Sequence, residues 1–328
     1  MTRGTYAAFF HALGIRESAD EAHPDGNYAA VNTLNFIGKY QMGEAALVDI
    51  GVVNLDGDAF DNNYSGGFTG KFGLDSVADF LHSPGGQDQA IRAYMAVQFG
   101  YLNIPGVDAL KYDGQIVDGV KITVSSLLAV AHLVGFGEAG QYVNSGGDVD
   151  PIDAYGTHSS EYAALFSDYA TPFQVDHAIA EALNGGTHAD FLQGRGGDDH
   201  LAGKGGADRL SGGAGDDRLT GGFGRDRLTG GGGDDTFIFA KAGAAGRGST
   251  ADTIADFASG DMIDLHLMDA NGLKAGNQAF KFMAAAGFTG LGQLRFEDGI
   301  VYGNTTSAAG AEFAIHVNGD LVKGDFIL

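Results

Sequence analysis

Six nine-residue units follow one another without insertion between residues 185 and 238: GGTHADFLQ, GRGGDDHLA, GKGGADRLS, GGAGDDRLT, GGFGRDRLT and GGGGDDTFI. The sixth position is always Asp, at Asp190, Asp199, Asp208, Asp217, Asp226 and Asp235. The eighth is always apolar, at Leu192, Leu201, Leu210, Leu219, Leu228 and Phe237. A unit this short cannot bury a core alone, so the period predicts a solenoid whose stacked turns supply one another's core. Each unit should hold a tight turn, where glycine reaches positive φ without a Cβ clash, and a short strand whose apolar side chain points inward. A flexible Gly/Asp linker would need neither the periodic Leu nor the fixed Asp.

These units resemble the RTX nonapeptide, G-G-x-G-x-D-x-U-x, which builds a parallel β-roll. The resemblance implies Ca²⁺ as cofactor, with the six aspartates and turn carbonyls as hard oxygen ligands. Without the ion, facing Asp rows would repel one another. The segment is therefore expected to be disordered in the absence of Ca²⁺ and to fold on binding it. In the first unit Thr187-His188-Ala189 replaces the third to fifth positions, so its site is expected to be weak or absent.

After Phe239 the glycine density falls and strand patterns return, at 251–257, 260–265, 293–296, 300–302 and 312–317. This region resembles the cap that follows the repeats in serralysin-type and other type I secreted proteins. The final Asp325-Phe326-Ile327-Leu328 is similar to an uncleaved type I secretion signal, with an ordinary edge strand as the alternative. Met1-Thr-Arg-Gly-Thr-Tyr lacks the apolar core of a secretory signal peptide. The expectation is a secreted, extracellular protein that uses type I secretion machinery. A serralysin-like protease is excluded, since no His-Glu-x-x-His occurs among the 10 histidines.

The net charge is -23, with 42 Asp+Glu against 19 Lys+Arg, which argues against nucleic acid as a partner because phosphate affinity comes from Lys and Arg. No run of 18 apolar residues is present, so no membrane span is expected. Cys is 0, so neither a disulfide nor a thiolate metal site can form.

The first 180 residues read as helical. Tyr6, Phe9, Phe10 and Leu13 recur at i, i+3, i+4 and i+7, with Gly14 as the expected C-cap. Residues 43–51, a segment marked by Ile91, Tyr94, Met95 and Gln98, an apolar run from 124 to Gly135, and 173–183 are further expected helices. Residues 54–72 form a loop rich in Asp, Asn and Gly. Three pieces in order, Arg16-Glu17-Ser18, Phe36-Ile-Gly-Lys-Tyr-Gln-Met42 and Leu127–Gly135 around His132, resemble the goose-type lysozyme and soluble lytic transglycosylase superfamily. The resemblance covers roughly residues 5–145. It implies a catalytic acid at Glu17 and a sugar-binding cleft lined by Gln41, by the backbone near Tyr40 and Met42, and by His132. Two departures stand out. His132 occupies the place of the family's Tyr-Asn, and Ser18 is followed by Ala19-Asp20 rather than Gly-Gly.

The expected fold is therefore multidomain α+β: a lysozyme-like domain over 1–180, the β-roll over 185–238, and a β-rich cap with the secretion signal over 239–328. The chemistry asks for a protonated Glu17 near neutral pH, which burial against apolar walls would favour. A hydrolase would need a second carboxylate, with Asp20, Glu21, Asp25 and Glu44 as candidates. Without one, the substrate's own C6 hydroxyl could attack and leave an anhydro end. Glu44 is also explained by the helix N-terminus it lies near. The acids of Asp56-Gly-Asp58-Ala-Phe-Asp61 and the group Asp148, Asp150 and Asp153 could each hold Ca²⁺, but neither matches the EF-hand spacing, so turn chemistry is the better reading. The implied substrate is a β-1,4-linked N-acetylhexosamine chain, peptidoglycan or a neutral chitin-like glycan. Peptidoglycan is the leading expectation; the acidic charge sits awkwardly with an anionic wall and leaves room for the neutral polymer or a saline setting. The alternative is a calcium-dependent adhesin that binds glycan without cleaving it.

Overall fold

The computed structural model describes residues 3–175, 177, 180–283, 287–306 and 310–328. The chain divides into two compact units: 1–110, 123–140 and 151–174 form the first, and 111–122, 141–150 and 175–328 the second. The boundaries thus differ from a simple division at residue 180. Two short segments of the first half belong with the roll, and the residues after 239 continue it rather than forming a separate body. No helix of the described residues is long and apolar enough to cross a membrane.

The first unit is helical: α1 (Tyr6–Ser18), α2 (Glu44–Asp49), α3 (Val77–His82), α4 (Pro84–Tyr101), α5 (Val124–Val134) and α7 (Ser159–Phe166), with α6 (Phe136–Asn144) spanning the boundary. Thr5 caps α1 by accepting the Ala8 N–H at 3.2 Å, which satisfies one of the helix's free donors. Thr123 and Ser126 form a reciprocal capping box on α5, and Gly135 ends it as expected. Gly14 does not end α1. It is buried, and an added Cβ would lie 2.3 Å from Lys39 Cε. Glycine is needed there for the Lys39 stem to cross the helix, so α1 runs one more turn and carries Glu17 in that turn. The expected helix over 173–183 includes residues 176, 178 and 179, which lie outside the described residues. Its end is a strand instead, because the chain there has already entered the roll.

The second unit opens with the hairpin β1 (Ile116–Val117) and β2 (Val120–Lys121). Its two-residue turn, Asp118-Gly119, has both φ values positive, the geometry that matches strand twist. The stacked strands follow: β3 (Ala182–Asn184), β4 (Phe191–Gly196), β5 (His200–Gly205), β6 (Arg209–Ala214), β7 (Arg218–Phe223), β8 (Arg227–Gly232) and β9 (Thr236–Ile238). Alternate strands pair in parallel, so one sheet runs β4-β6-β8 and the other β3-β5-β7-β9. Two nonapeptides therefore make one turn of the roll.

Both sheets extend past the repeats. β10 (Asp252–Ile254) pairs with β8, and β11 (Met262–Asp264) pairs with β9. The later strands are β12 (Lys281–Phe282), β13 (Gln293–Glu297), β14 (Ile300–Asn304), β15 (Phe313–Val317) and β16 (Phe326–Ile327). β13, β14 and β15 form an antiparallel meander that joins β10 through β15. β16 is the edge strand beside β11, so the chain's last apolar residues are paired and Phe326 is buried.

Two apolar ladders fill the roll. Leu192, Leu210, Leu228 and Ile254 align on one sheet; Leu183, Leu201, Leu219, Phe237 and Ile263 align on the other. All are at most 2% exposed. The edge of β4 is closed by β1, where buried Gln115 stands in for a strand backbone. Its amide donates to the Gln193 carbonyl at 2.8 Å and its oxygen accepts the Gln193 N–H at 2.7 Å. Such closure removes an edge open to aggregation. Because Leu219 is fully buried in its ladder, Leu219→Ala should destabilise the calcium-loaded protein by roughly 2–5 kcal/mol. Guanidinium unfolding in excess Ca²⁺ measures this, and a loss within the roughly 0.5 kcal/mol of a surface change would contradict the ladder's role.

Candidate calcium ladder and glycan cleft

In the roll, each repeat aspartate caps the backbone of the aspartate one turn earlier. The Asp190 N–H donates to Asp208 Oδ1 at 2.8 Å, Asp208 to Asp226 at 2.9 Å, and Asp226 to Asp252 at 2.8 Å. The other sheet repeats the pattern: Asp199 to Asp217 at 2.8 Å, Asp217 to Asp235 and Asp235 to Asp261 at 2.9 Å. Every one of these side chains is at most 3% exposed. Only Oδ1 is used. Oδ2 of Asp199, Asp208, Asp217, Asp226, Asp235 and Asp252 is buried with no hydrogen-bond partner.

The turn beside each of these oxygens is built to approach it. An added Cβ on Gly212 would lie 2.1 Å from Asp217 Oδ2, and the equivalent glycines of all six units meet their own aspartate in the same way. Farther along the turn, Gly215 and Gly233 adopt positive φ, and added Cβ atoms there would lie 2.2 Å from carbonyl oxygens of the preceding turn. The turn thus gathers backbone carbonyls and leaves an unpaired carboxylate oxygen. That is the donor set a hard, oxygen-seeking cation requires.

Burial pushes these acids up from their ordinary 3.8, against the lowering effect of the amide each accepts. Neighbouring carboxylates in the ladder raise them further. Asp208 and Asp217 reach about 7, Asp235 about 6 and Asp252 about 8. Asp190, Asp199, Asp226 and Asp261 move in the same direction, chiefly through burial.

The two end rungs, Asp190 and Asp261, differ from the rest: Asp261 Oδ2 accepts the Ala258 N–H at 2.8 Å, and Asp190 is likewise paired at both oxygens. Asp190 Oδ2 accepts the Gly186 N–H at 2.7 Å and its Oδ1 the Asp118 N–H at 2.8 Å. His188 Nδ1 lies 2.7 Å from Asp118 Oδ1, and Thr187 bonds Asp148 through its amide and hydroxyl. The departing first unit is thus completed by the chain itself. Conversely, Asp252 and Asp261 are rungs that the uninterrupted repeat does not include. Their signal was legible: Asp252-Thr-Ile254 and Asp261-Met-Ile263 repeat the Asp-x-apolar triplet nine residues apart, displaced by the insertion after β9.

Residues 180–210 and 202–237 match the family model of the RTX calcium-binding nonapeptide repeat (4 copies). This segment carries calcium-binding RTX repeats. No curated protein matches the chain. Among solved structures, the AlgE6R3 subunit of the Azotobacter vinelandii mannuronan C5-epimerase matches at 29% identity over 48% of this chain and 82% of that chain, with a TM-score of 0.24. The AlgE6R2 subunit of the same enzyme matches at 28% identity over 44% and 90%, with a TM-score of 0.26.

In the helical unit, Glu17, Gln41 and His132 come together in one small pocket with Asn32, Asp153 and Tyr155. A larger cleft of about 450 Å³ shares Glu17, Gln41, Asn32, Asp153 and Tyr155 and adds Arg16, Thr33 and Tyr162. Glu17 is half-buried in the last turn of α1, and its carboxylate accepts a hydrogen bond from the Tyr162 hydroxyl. Burial first, then the Glu17 charge and that hydrogen bond, raise the Tyr162 phenol well above its usual range. It stays protonated and keeps donating. Ser18 fixes the helix end: its hydroxyl donates to the Gly14 carbonyl at 3.0 Å and accepts the Asn27 N–H at 2.8 Å.

Gln41 sits at positive φ in the tight turn from Gly38 to Gln41. Buried Gln87 on α4 holds this turn, accepting the Lys39 N–H at 2.8 Å. An added Cβ on Gly38 would lie 2.3 Å from that same Gln87 oxygen. His132 Nε2 pairs with the Tyr40 carbonyl at 2.8 Å.

The side chains of Tyr40 and Met42 are buried in the core, and neither residue is among those that line the two pockets. Met42 is fully buried, and Tyr40 packs edge-on against Phe10 and donates to Asp88 at 2.7 Å. The alternation across the turn sends Gln41 outward and its neighbours inward. None of the proposed second acids lines the cleft among the described residues. Asp20, Glu21 and Asp25 are exposed, and Glu44 is buried. Asp153 takes that place, held by the Tyr155 and Thr157 N–H groups at 2.9 and 2.7 Å. Sequence spacing could not place it, since it lies 136 residues from Glu17 in the chain.

The raised ladder acids fix the sign of a pH effect. A group whose folded pKa exceeds its unfolded one stabilises the fold below the unfolded value and ceases to do so as pH rises through the folded value. The calcium-depleted roll should therefore be most stable near pH 4 and lose stability as pH rises through 6 to 8. Hydrogen exchange of roll amides in calcium-free buffer measures this. Replacing Asp208 and Asp217 by Asn, which keeps an acceptor and removes the charge, should flatten the dependence. Stability that rises with pH in the depleted protein would contradict the assignment.

Proposed function

We propose that the protein is a secreted, calcium-dependent, glycan-cleaving enzyme. In this reading its helical unit cuts a β-1,4-linked N-acetylhexosamine chain, peptidoglycan first, and its roll is the calcium-dependent folding and export module. The observation that carries the reading is convergence. Three separated segments of the lysozyme-like resemblance deliver Glu17, Gln41 and His132 to one pocket that also contains a second carboxylate, Asp153.

Glu17 acts as the general acid that protonates the glycosidic oxygen. Gln41 offers an amide to sugar hydroxyls or the N-acetyl group. Tyr155, 60% exposed, offers an aromatic face for a sugar ring in a chain whose Trp count is 0. Asp153 either activates water, as in an inverting hydrolase, or supports the developing positive charge. The export role rests on the repeats. A segment whose buried carboxylates oppose folding until calcium arrives can pass a narrow channel unfolded and fold outside, where calcium is abundant.

The test is release of soluble muropeptides from purified peptidoglycan in Ca²⁺, with products identified by mass. Glu17→Gln should lower release by roughly a hundredfold or more while glycan binding persists. Reducing ends, together with loss of activity in Asp153→Asn, mean hydrolysis. Anhydro ends that survive Asp153→Asn mean attack by the substrate's own hydroxyl. Wild type that binds glycan and cleaves neither peptidoglycan nor chitin oligomers would overturn the enzyme reading in favour of an adhesin.

A further inference from the structure

A second group of carboxylates lies in the helical unit outside the cleft. Glu44 opens α2, and Asp56 and Asp61 come from the Asp-rich loop after it. One carboxylate oxygen from each lies within 4.8 Å of the others. Glu44 is 0% exposed. Its Oε2 accepts the N–H groups of Asn63 and Tyr64 at 3.1 and 3.2 Å, whereas Oε1 is buried and has no hydrogen-bond partner. No ion pair reaches any of the three among the described residues.

An ionised carboxylate buried beside two others needs a compensating charge. A helix N-terminus accounts for Glu44's position at the start of α2. It does not account for an unpaired Oε1 or for two acids brought to it from a loop. We propose that Glu44, Asp56 and Asp61 hold a divalent cation of the calcium class, at a site separate from the roll. All three ligands are hard oxygens, and no nitrogen or sulfur donor belongs to the group, which selects Ca²⁺ over Zn²⁺ or Cu²⁺. The Asp56–Asp61 spacing lacks an EF-hand pattern because one ligand lies ahead of the loop, on α2. The ion would tie the loop to that helix, so calcium would order part of the helical unit as well as the roll. This site does not depend on the glycan-cleaving reading.

The experiment uses the full chain and Ca²⁺ alone, with hydrogen exchange read peptide by peptide and bound ions counted by equilibrium dialysis. In wild type, Ca²⁺ at about ten times its dissociation constant should slow exchange across residues 56–65 by about tenfold. The double variant Asp56→Asn, Asp61→Asn, made at exposed positions, should lose that protection and bind about one ion fewer. Its roll peptides and α5 peptides should keep their protection, which shows that both units remain folded. Asp58→Asn, a neighbouring acid outside the group, should behave as wild type. Loop exchange insensitive to Ca²⁺ in wild type, an unchanged ion count in the double variant, or an equal loss in Asp58→Asn would each overturn the proposal. Failure of glycan cleavage would leave these readouts untouched.

Discussion

An aspartate carboxylate that accepts the backbone N–H of the aspartate one turn earlier is the contact on which the second unit depends. It uses one oxygen, fixes the register of stacked turns and buries the other oxygen without a donor. The two apolar ladders favour stacking, and the buried charge opposes it. Those effects act on the same turn, so neither can be relieved without losing the other. A cation that takes the unpaired oxygen removes the opposition. Folding of the roll would then wait on calcium, and in each of the six units one glycine stands where a Cβ would strike that unit's own aspartate.

The helical unit uses buried polar groups differently. Gln87 is satisfied at three points, by the Lys39 N–H and by the Tyr28 and Phe80 carbonyls, and it shapes the turn that carries Gln41. A fully satisfied buried amide rigidifies what it touches. Ser18 does the same for the end of α1. The cleft residues therefore stand on a scaffold whose polar groups are mostly paired. Among the described residues of this unit, Tyr6 Oη, Gln98 Oε1 and Glu44 Oε1 are buried without a partner, and of these Glu44 is the carboxylate that lies beside two further acids.

How much of this was legible depends on how local each signal is. The roll was legible because its rule repeats every nine residues, and the Asp-x-apolar triplet marks each rung even where the chain inserts a loop, as at Asp252. Closure by Gln115 and the β1–β2 hairpin was not, because those residues pair with repeats far along the chain. In the helical unit, apolar spacing located α1 and α5, but Gly14 misled: its glycine serves a crossing lysine stem rather than a helix end. Glu17, Gln41 and His132 were singled out by pattern, and they line one pocket. Asp153, Tyr155 and Tyr162 were not placed there, because a cleft assembled from distant segments leaves no spacing to read. The side chains of Tyr40 and Met42 turn inward, since neighbours in a tight turn face opposite ways.

The central claim is that buried aspartate charge makes the roll's fold conditional on calcium. A calcium titration of the full chain at pH 7.5, followed by hydrogen exchange at the amides of Asp199, Asp208, Asp217 and Asp226, tests it most directly. These amides should exchange as in an unfolded chain in chelator and become protected together, cooperatively, as calcium rises. Equal protection with and without calcium would contradict it.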